Sequence, residues 1–177
     1  MKNEIIKGDC LVGMDKIKDK SVDLIFIDPP YHENFTKYFP DFKKKLTDNG
    51  QIFWFVQPTE IFELPEKPKQ ILVWKEPMAP KPKRRKYYET FDLIAWYAYG
   101  EYTFNNLLWN LMGSVFEDVV IGYERKHKWE KPETLIERII LTHSKEGDFV
   151  FDPFAGSGIV EKVCRKLSRD YIGFEIK

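Results

Sequence analysis

Hydrophobic and polar positions along this chain fall into short blocks whose period keeps changing. Val22-Asp23-Leu24-Ile25-Phe26-Ile27 is apolar apart from Asp23 and rich in β-branched and aromatic residues. That pattern predicts a strand buried on both faces, as in a parallel sheet covered by helices. Glu4 to Lys7 predicts an earlier short strand, and Leu11, Val12, Met14 and Ile17 follow it at near-helical spacing, completing a β-α-β unit. Asp41–Leu46 predicts a helix after a break at Pro40, and Asn49-Gly50 a turn. Gln51–Val56 reads as a second buried strand stopped by Pro58, and Thr59–Leu64 as a brief helix. Gln70–Trp74 and Phe91–Tyr97 form a strand pair joined by a long loop over 75–88, whereas Asn105–Gly122 is apolar but aperiodic and predicts no element. Pro132 opens a helix with Leu135, Ile136, Ile139 and Ile140 as its buried stripe. A strand from Asp148, a glycine-rich turn, a helix over Ile159–Leu167 and a strand over Tyr171–Glu175 complete the chain.

With 177 residues, 43% of them hydrophobic, the chain predicts one domain with a full core over 1–177. Lys+Arg and Asp+Glu both number 28, so a nucleic-acid partner must be argued from local clusters and not from total charge. The N-terminus lacks a signal-peptide core, and no apolar run approaches the roughly 18 residues of a membrane helix. Together with Cys10 and Cys164, isolated and outside any metal-ligand spacing, this predicts a cytoplasmic protein with reduced thiols, no metal and no membrane partner.

Two stretches carry chemistry. The Val22–Ile27 strand stops at Asp28-Pro29-Pro30-Tyr31, where two prolines remove backbone donors and stiffen the exit from the sheet. A carboxylate at the C-terminal end of a parallel strand lies where open α/β sheets bind ligands. The second stretch, Asp152-Pro153-Phe154-Ala155-Gly156-Ser157-Gly158, joins a strand to a helix, and Glu175 ends the following strand about 20 residues on, where an acid can take ribose hydroxyls. Glu161 occupies the position of a third dinucleotide glycine, and no phosphate-loop lysine motif exists. The flanking acids Asp152 and Glu175 suit a ligand rich in donors, with an ammonium and hydroxyls, which describes S-adenosylmethionine.

The glycine loop normally follows the first strand of such a sheet, but here it comes almost last. The expected fold is therefore a single-domain, Rossmann-like α/β sheet, mostly parallel with an antiparallel edge strand, and circularly permuted.

With these residues in view, the chain resembles the DNA amino-methyltransferases that make N6-methyladenine or N4-methylcytosine, in the permuted motif order called the β group. Asp28-Pro29-Pro30-Tyr31 is similar to the family's catalytic motif, and Asp152 to Gly158 to its methionine-binding motif. Glu175 matches its ribose-binding acid, and Asp9 sits where the family has an adenosine-contacting carboxylate. His127-Lys128-Trp129-Glu130-Lys131-Pro132 resembles a further motif whose Lys131-Pro132 end lies against the cofactor in the family. Ile159 stands where the family has threonine, which removes one hydroxyl, and the expected target-recognition segment, 106–126, is short and apolar. The resemblance implies an S-adenosylmethionine-dependent enzyme acting on double-stranded DNA within a restriction-modification system, and leaves a homodimer open.

Implied site residues are Asp28, Pro29, Pro30 and Tyr31 for catalysis. For the cofactor they are Asp9, Cys10, Asp28, Lys131, Pro132, Asp152, Pro153, Phe154, Ala155, Gly156, Ser157, Gly158 and Glu175. The basic run Lys81, Lys83, Arg84, Arg85, Lys86 with Tyr87, and the cluster Arg125, Lys126 and Lys128, suit phosphate contacts plus base stacking. Asp28 as the leading motif residue favours adenine over cytosine as the base. N4-cytosine methylation, an RNA or protein amide substrate, and a non-catalytic cofactor-binding subunit are the alternatives.

Overall fold

The computed structural model describes residues 3–30, 35–75, 90–107, 111–117 and 131–176. Among these residues eight strands make one sheet: β1 (Glu4–Lys7), β2 (Val22–Ile27), β3 (Leu46–Val56), β4 (Gln70–Lys75), β5 (Phe91–Ala98), β6 (Val115–Phe116), β7 (Phe149–Asp152) and β8 (Asp170–Glu175). Their spatial order is β1-β8-β7-β2-β3-β5-β4-β6, so the first and last strands of the chain are parallel neighbours. Only β5 runs against the rest. The antiparallel strand expected at the edge thus lies inside the sheet. Beyond it come β4 and then β6, a two-residue strand formed by the segment that showed no period.

Helices cover both faces. Alternation along β2 and β3 sends Ile25, Ile27, Ile52, Trp54 and Val56 to one face, where α1 (Cys10–Gly13) and α2 (Phe39–Lys45) contribute Cys10, Phe39 and Phe42. Leu24, Phe26, Phe53 and Phe55 point to the other, against α3 (Glu133–His143) and α4 (Ile159–Lys166). The α3 stripe Leu135, Ile136, Ile139 and Ile140 is fully buried, as its spacing predicts. Two apolar faces explain why the central strands read as continuous hydrophobic runs. Asp23, the polar exception in β2, accepts the Phe149 N–H at 2.9 Å and so pins the start of β7.

Several local expectations change. Pro40 does not break α2 but sits in its first turn, where a missing N–H costs nothing. Asn49-Gly50 makes no hairpin turn: it lies within β3 where the register slips, since Val22 pairs with Leu46 but Leu24 with Gln51. The first helix is a single turn continued by a 3-10 turn (Met14–Lys16), and Val12 faces solvent. Pro132 caps α3 in extended conformation instead of occupying its first helical position. Among the described residues, no helix is long and apolar enough to cross a membrane.

Candidate active site

All strands except β5 point their C-terminal ends the same way, and β5 begins at that end. The sequence-predicted residues therefore gather along one rim: Asp28 after β2, Asp152 at the end of β7, Glu175 at the end of β8 and Asp9 after β1. This is the place where open parallel sheets bind ligands, because the loops there diverge.

One half of the rim is a glycine cradle. Gly156 and Gly158 hold φ of +50° and +78°, a backbone region that disfavours side chains. A Cβ on Gly158 would also approach Ile5 Cδ1 to 3.1 Å, so the turn and the first strand fit closely. Glu175 Oε2 accepts the Gly156 N–H at 2.8 Å, and the Glu175 carbonyl accepts the Gly8 N–H at 2.8 Å. The predicted ribose-binding acid thus also ties the cradle to the last and first strands. Asp9 caps α1 by accepting from the Leu11 N–H at 2.8 Å, with its side chain on the surface. Beside it the buried Cys10 thiol is pushed up to about 12 by burial and by the Asp9 charge, so it stays protonated.

Asp152 lies beneath the cradle, only 2% exposed. Its oxygens accept from the Phe154 N–H at 3.0 Å and from the Tyr171 hydroxyl at 3.3 Å. Gly173 makes the second contact sterically feasible: a Cβ there would lie 2.1 Å from the Tyr171 hydroxyl. Burial, opposed by the Phe154 N–H and reinforced by Asp28, raises the Asp152 carboxyl to about 7. Phe154 leaves the loop to pack edge-on against Phe35, ring centroids 4.7 Å apart.

The other half of the rim is an ion cluster. Asp28 Oδ1 is 3.1 Å from Lys131 Nζ, and Lys131 Nζ is 3.4 Å from Asp92 Oδ2. Lys131 is buried, with its ammonium 5.0 Å from the Phe55 ring centroid and 5.3 Å from that of Trp74. Burial raises the Asp28 carboxyl above the usual carboxylate range, Lys131 opposes the rise and Asp92 adds to it. Pro29 is half-buried and Pro30 exposed. Tyr31, the basic run Lys81–Tyr87, and Arg125, Lys126 and Lys128 lie outside the described residues.

The structure places Lys131 against Asp28, a pairing that sequence reading did not anticipate. Asp92, Phe55 and Trp74 were missed altogether. The one sequence signal for Asp92 was an acid at the start of an otherwise apolar strand, the same anomaly as Asp23. Ile176, 70% exposed next to Glu175, was also unmarked. At the opposite end of the sheet Gln51, Trp96 and His143 join a buried polar network that also reaches the Thr103 carbonyl, and burial lowers His143 to about 3, so that imidazole stays neutral.

A family model described as DNA methylase, of the N6/N4 type, matches residues 22–177, nearly the whole chain. The chain belongs to the N6/N4 DNA methylase family. Among curated relatives, the Type II methyltransferase M2.DpnII of Streptococcus pneumoniae is 27% identical across 97% of this chain and 84% of its own length. The Type II methyltransferase M.HinfI of Haemophilus influenzae is 25% identical across 98% of this chain but 64% of its own length. Among solved structures, the M1.HpyAVI–SAM complex superposes with a TM-score of 0.77 at 26% identity, covering 98% of this chain and 92% of that one. The cytosine-N4-specific PvuII DNA methyltransferase, at 16% identity and a TM-score of 0.79 over 98% of this chain and 82% of that one, shares the methylase fold.

Proposed function

We propose that this methylase transfers the methyl group of S-adenosylmethionine to the exocyclic N6 of an adenine flipped out of double-stranded DNA. The observation that carries the reading is the placement of Asp28: a carboxylate at the end of a buried strand, on the same rim as the glycine cradle and close enough for its charge to act on Asp152.

The residues present fit the cofactor. A buried carboxyl raised to about 7 at Asp152 can ionise beside a cationic ligand, and the space over Gly156, where an added Cβ meets nothing closer than 3.8 Å, leaves the backbone open to approach. Glu175 and Asp9 supply acceptors for hydroxyl and amino donors, and Ile176 an apolar surface for a flat ring. When bound, S-adenosylmethionine supplies an electrophilic methyl group on a sulfonium.

The protein's task is to position the amine and exclude water. An exocyclic amine on an aromatic ring is a weak nucleophile because its lone pair is delocalised. Hydrogen bonds from its two N–H groups to the Asp28 carboxylate and the Pro29 carbonyl favour a pyramidal, more nucleophilic nitrogen. With the bound cofactor giving up its methyl group and leaving as a neutral thioether, Asp28 would take the proton that the methylated amine must lose. Flipping the base costs a few kcal/mol, and stacking on Tyr31 returns about 1–3 kcal/mol.

Basic residues of the 75–88 loop hold the DNA backbone, with Arg125, Lys126 and Lys128 as a second contact. Replacing Arg84 and Arg85 together by alanine is expected to weaken duplex binding and reduce the slope of log affinity against log salt by about 2. Filter binding across a salt series reads this, and an unchanged slope refutes the assignment.

The function itself is tested by incubating the protein with labelled S-adenosylmethionine and unmethylated duplex DNA, then identifying the modified nucleosides by mass spectrometry. N6-methyladenine is expected. N4-methylcytosine overturns the choice of base, and label recovered only in RNA or protein supplied in parallel incubations overturns the choice of substrate.

A further inference from the structure

Lys131 is a buried cation held between two acids from different parts of the chain. A buried ammonium is tolerated only when paired, and removing one of its partners is normally costly. Here Asp92 and the faces of Phe55 and Trp74 fix the ammonium from behind, while Asp28, with 26% of its side chain exposed against 13% for Asp92, presents the more accessible carboxylate. The cluster sets one ammonium between two carboxyl groups, and the more exposed of these, Asp28, faces the open side.

We propose that Lys131 and Asp92 are positioning residues for Asp28: Asp92 anchors the Lys131 ammonium, and Lys131 orients and charges the carboxylate that receives the amino group of the target base. The inference rests on Asp28 acting in methyl transfer, but not on which base is methylated. Among the described residues, the charged groups acting on Asp28 are Lys131 ahead of α3, Asp92 on β5 and Asp152 on β7. Lys131 lowers the Asp28 carboxyl and Asp92 raises it, so the two variants are expected to move it in opposite directions, which a merely structural role does not do.

The test is the carboxyl titration of Asp28 by carbon-13 NMR on the free protein, in Lys131→Met, Asp92→Asn and the conservative Lys131→Arg. Removing the ammonium is expected to move the titration midpoint up by about 1 pH unit or more, and removing the Asp92 charge to move it down. Arginine is expected to restore the wild-type midpoint in large part. The acid limb of the single-turnover methylation rate should follow the same order, while Asp92→Asn leaves S-adenosylmethionine affinity, measured by calorimetry, near that of wild type. Should Lys131→Met not fold, Asp92→Asn decides by itself: a downward shift supports the proposal, and no shift or an upward one overturns it. An unmoved Asp28 midpoint in Lys131→Met, accompanied by weakened cofactor binding, also overturns it and returns Lys131 to the cofactor site. Because the titration needs no DNA, its failure is distinguishable from a failure of the adenine assignment.

Discussion

Replacing Asp28 by asparagine is expected to lower the single-turnover rate of methyl transfer by about 10²- to 10⁴-fold while leaving cofactor affinity nearly intact. The amide keeps the size of the side chain and an acceptor for Lys131, but it cannot serve as the base that the proposed mechanism needs for the amine's proton. The fold should survive, because Lys131 retains Asp92 as a charged partner 3.4 Å away and is not left as an isolated buried cation. The cofactor is proposed to sit on the cradle at Gly156 to Gly158 with Asp152 and Glu175, whose oxygens accept from the Phe154 N–H, the Tyr171 hydroxyl and the Gly156 N–H. Rates measured with labelled S-adenosylmethionine, and affinity by calorimetry, separate the two effects. A rate within a few-fold of wild type removes Asp28 from the chemistry.

Cofactor binding is expected to tighten as pH rises to about 7 and then level off, with up to about a tenfold loss of affinity per pH unit below that point. The cause is Asp152, which burial and the Asp28 and Glu175 charges keep protonated up to about 7. A cationic ligand beside it favours the ionised form, so binding near neutral pH should release a proton. Calorimetry in buffers of different ionisation enthalpy measures that release. In Asp152→Asn the pH dependence should flatten while affinity falls, and an unchanged pH profile in this variant refutes the role. The sign for folding is opposite. A carboxyl raised from 3.8 to about 7 stabilises the free protein fully below pH 4, and that contribution disappears as pH climbs through 7. The thermal midpoint of the free protein should therefore fall across this range, and saturating cofactor should offset the fall.

Strand β2 was legible because both of its faces are covered, which forces an unbroken apolar run, and its end was legible because two prolines cannot continue a ladder. The helix α3 was equally plain, since four buried residues at helical spacing admit no other element. The Asn49-Gly50 turn and the Pro40 break were misread for a common reason. Each residue type reports what the backbone tolerates locally, whereas a register slip or a place in the first turn of a helix is set by neighbouring elements. The short strand β6 was invisible because two residues carry no period; it exists only by pairing with β4.

By itself, the sequence determined which strand ends present the candidate site residues: Asp28, Asp152, the two cradle glycines and Glu175 each end or follow an apolar block that must be a buried strand or its turn. Only the tertiary structure decided how these charges are balanced. Lys131 and Asp92 come from segments far apart in the chain, and no local pattern encodes that their side chains meet Asp28 at one end of the sheet. Apolar burial is written residue by residue through periodicity, but an ion cluster depends on strand order, and strand order is fixed by packing across the whole sheet.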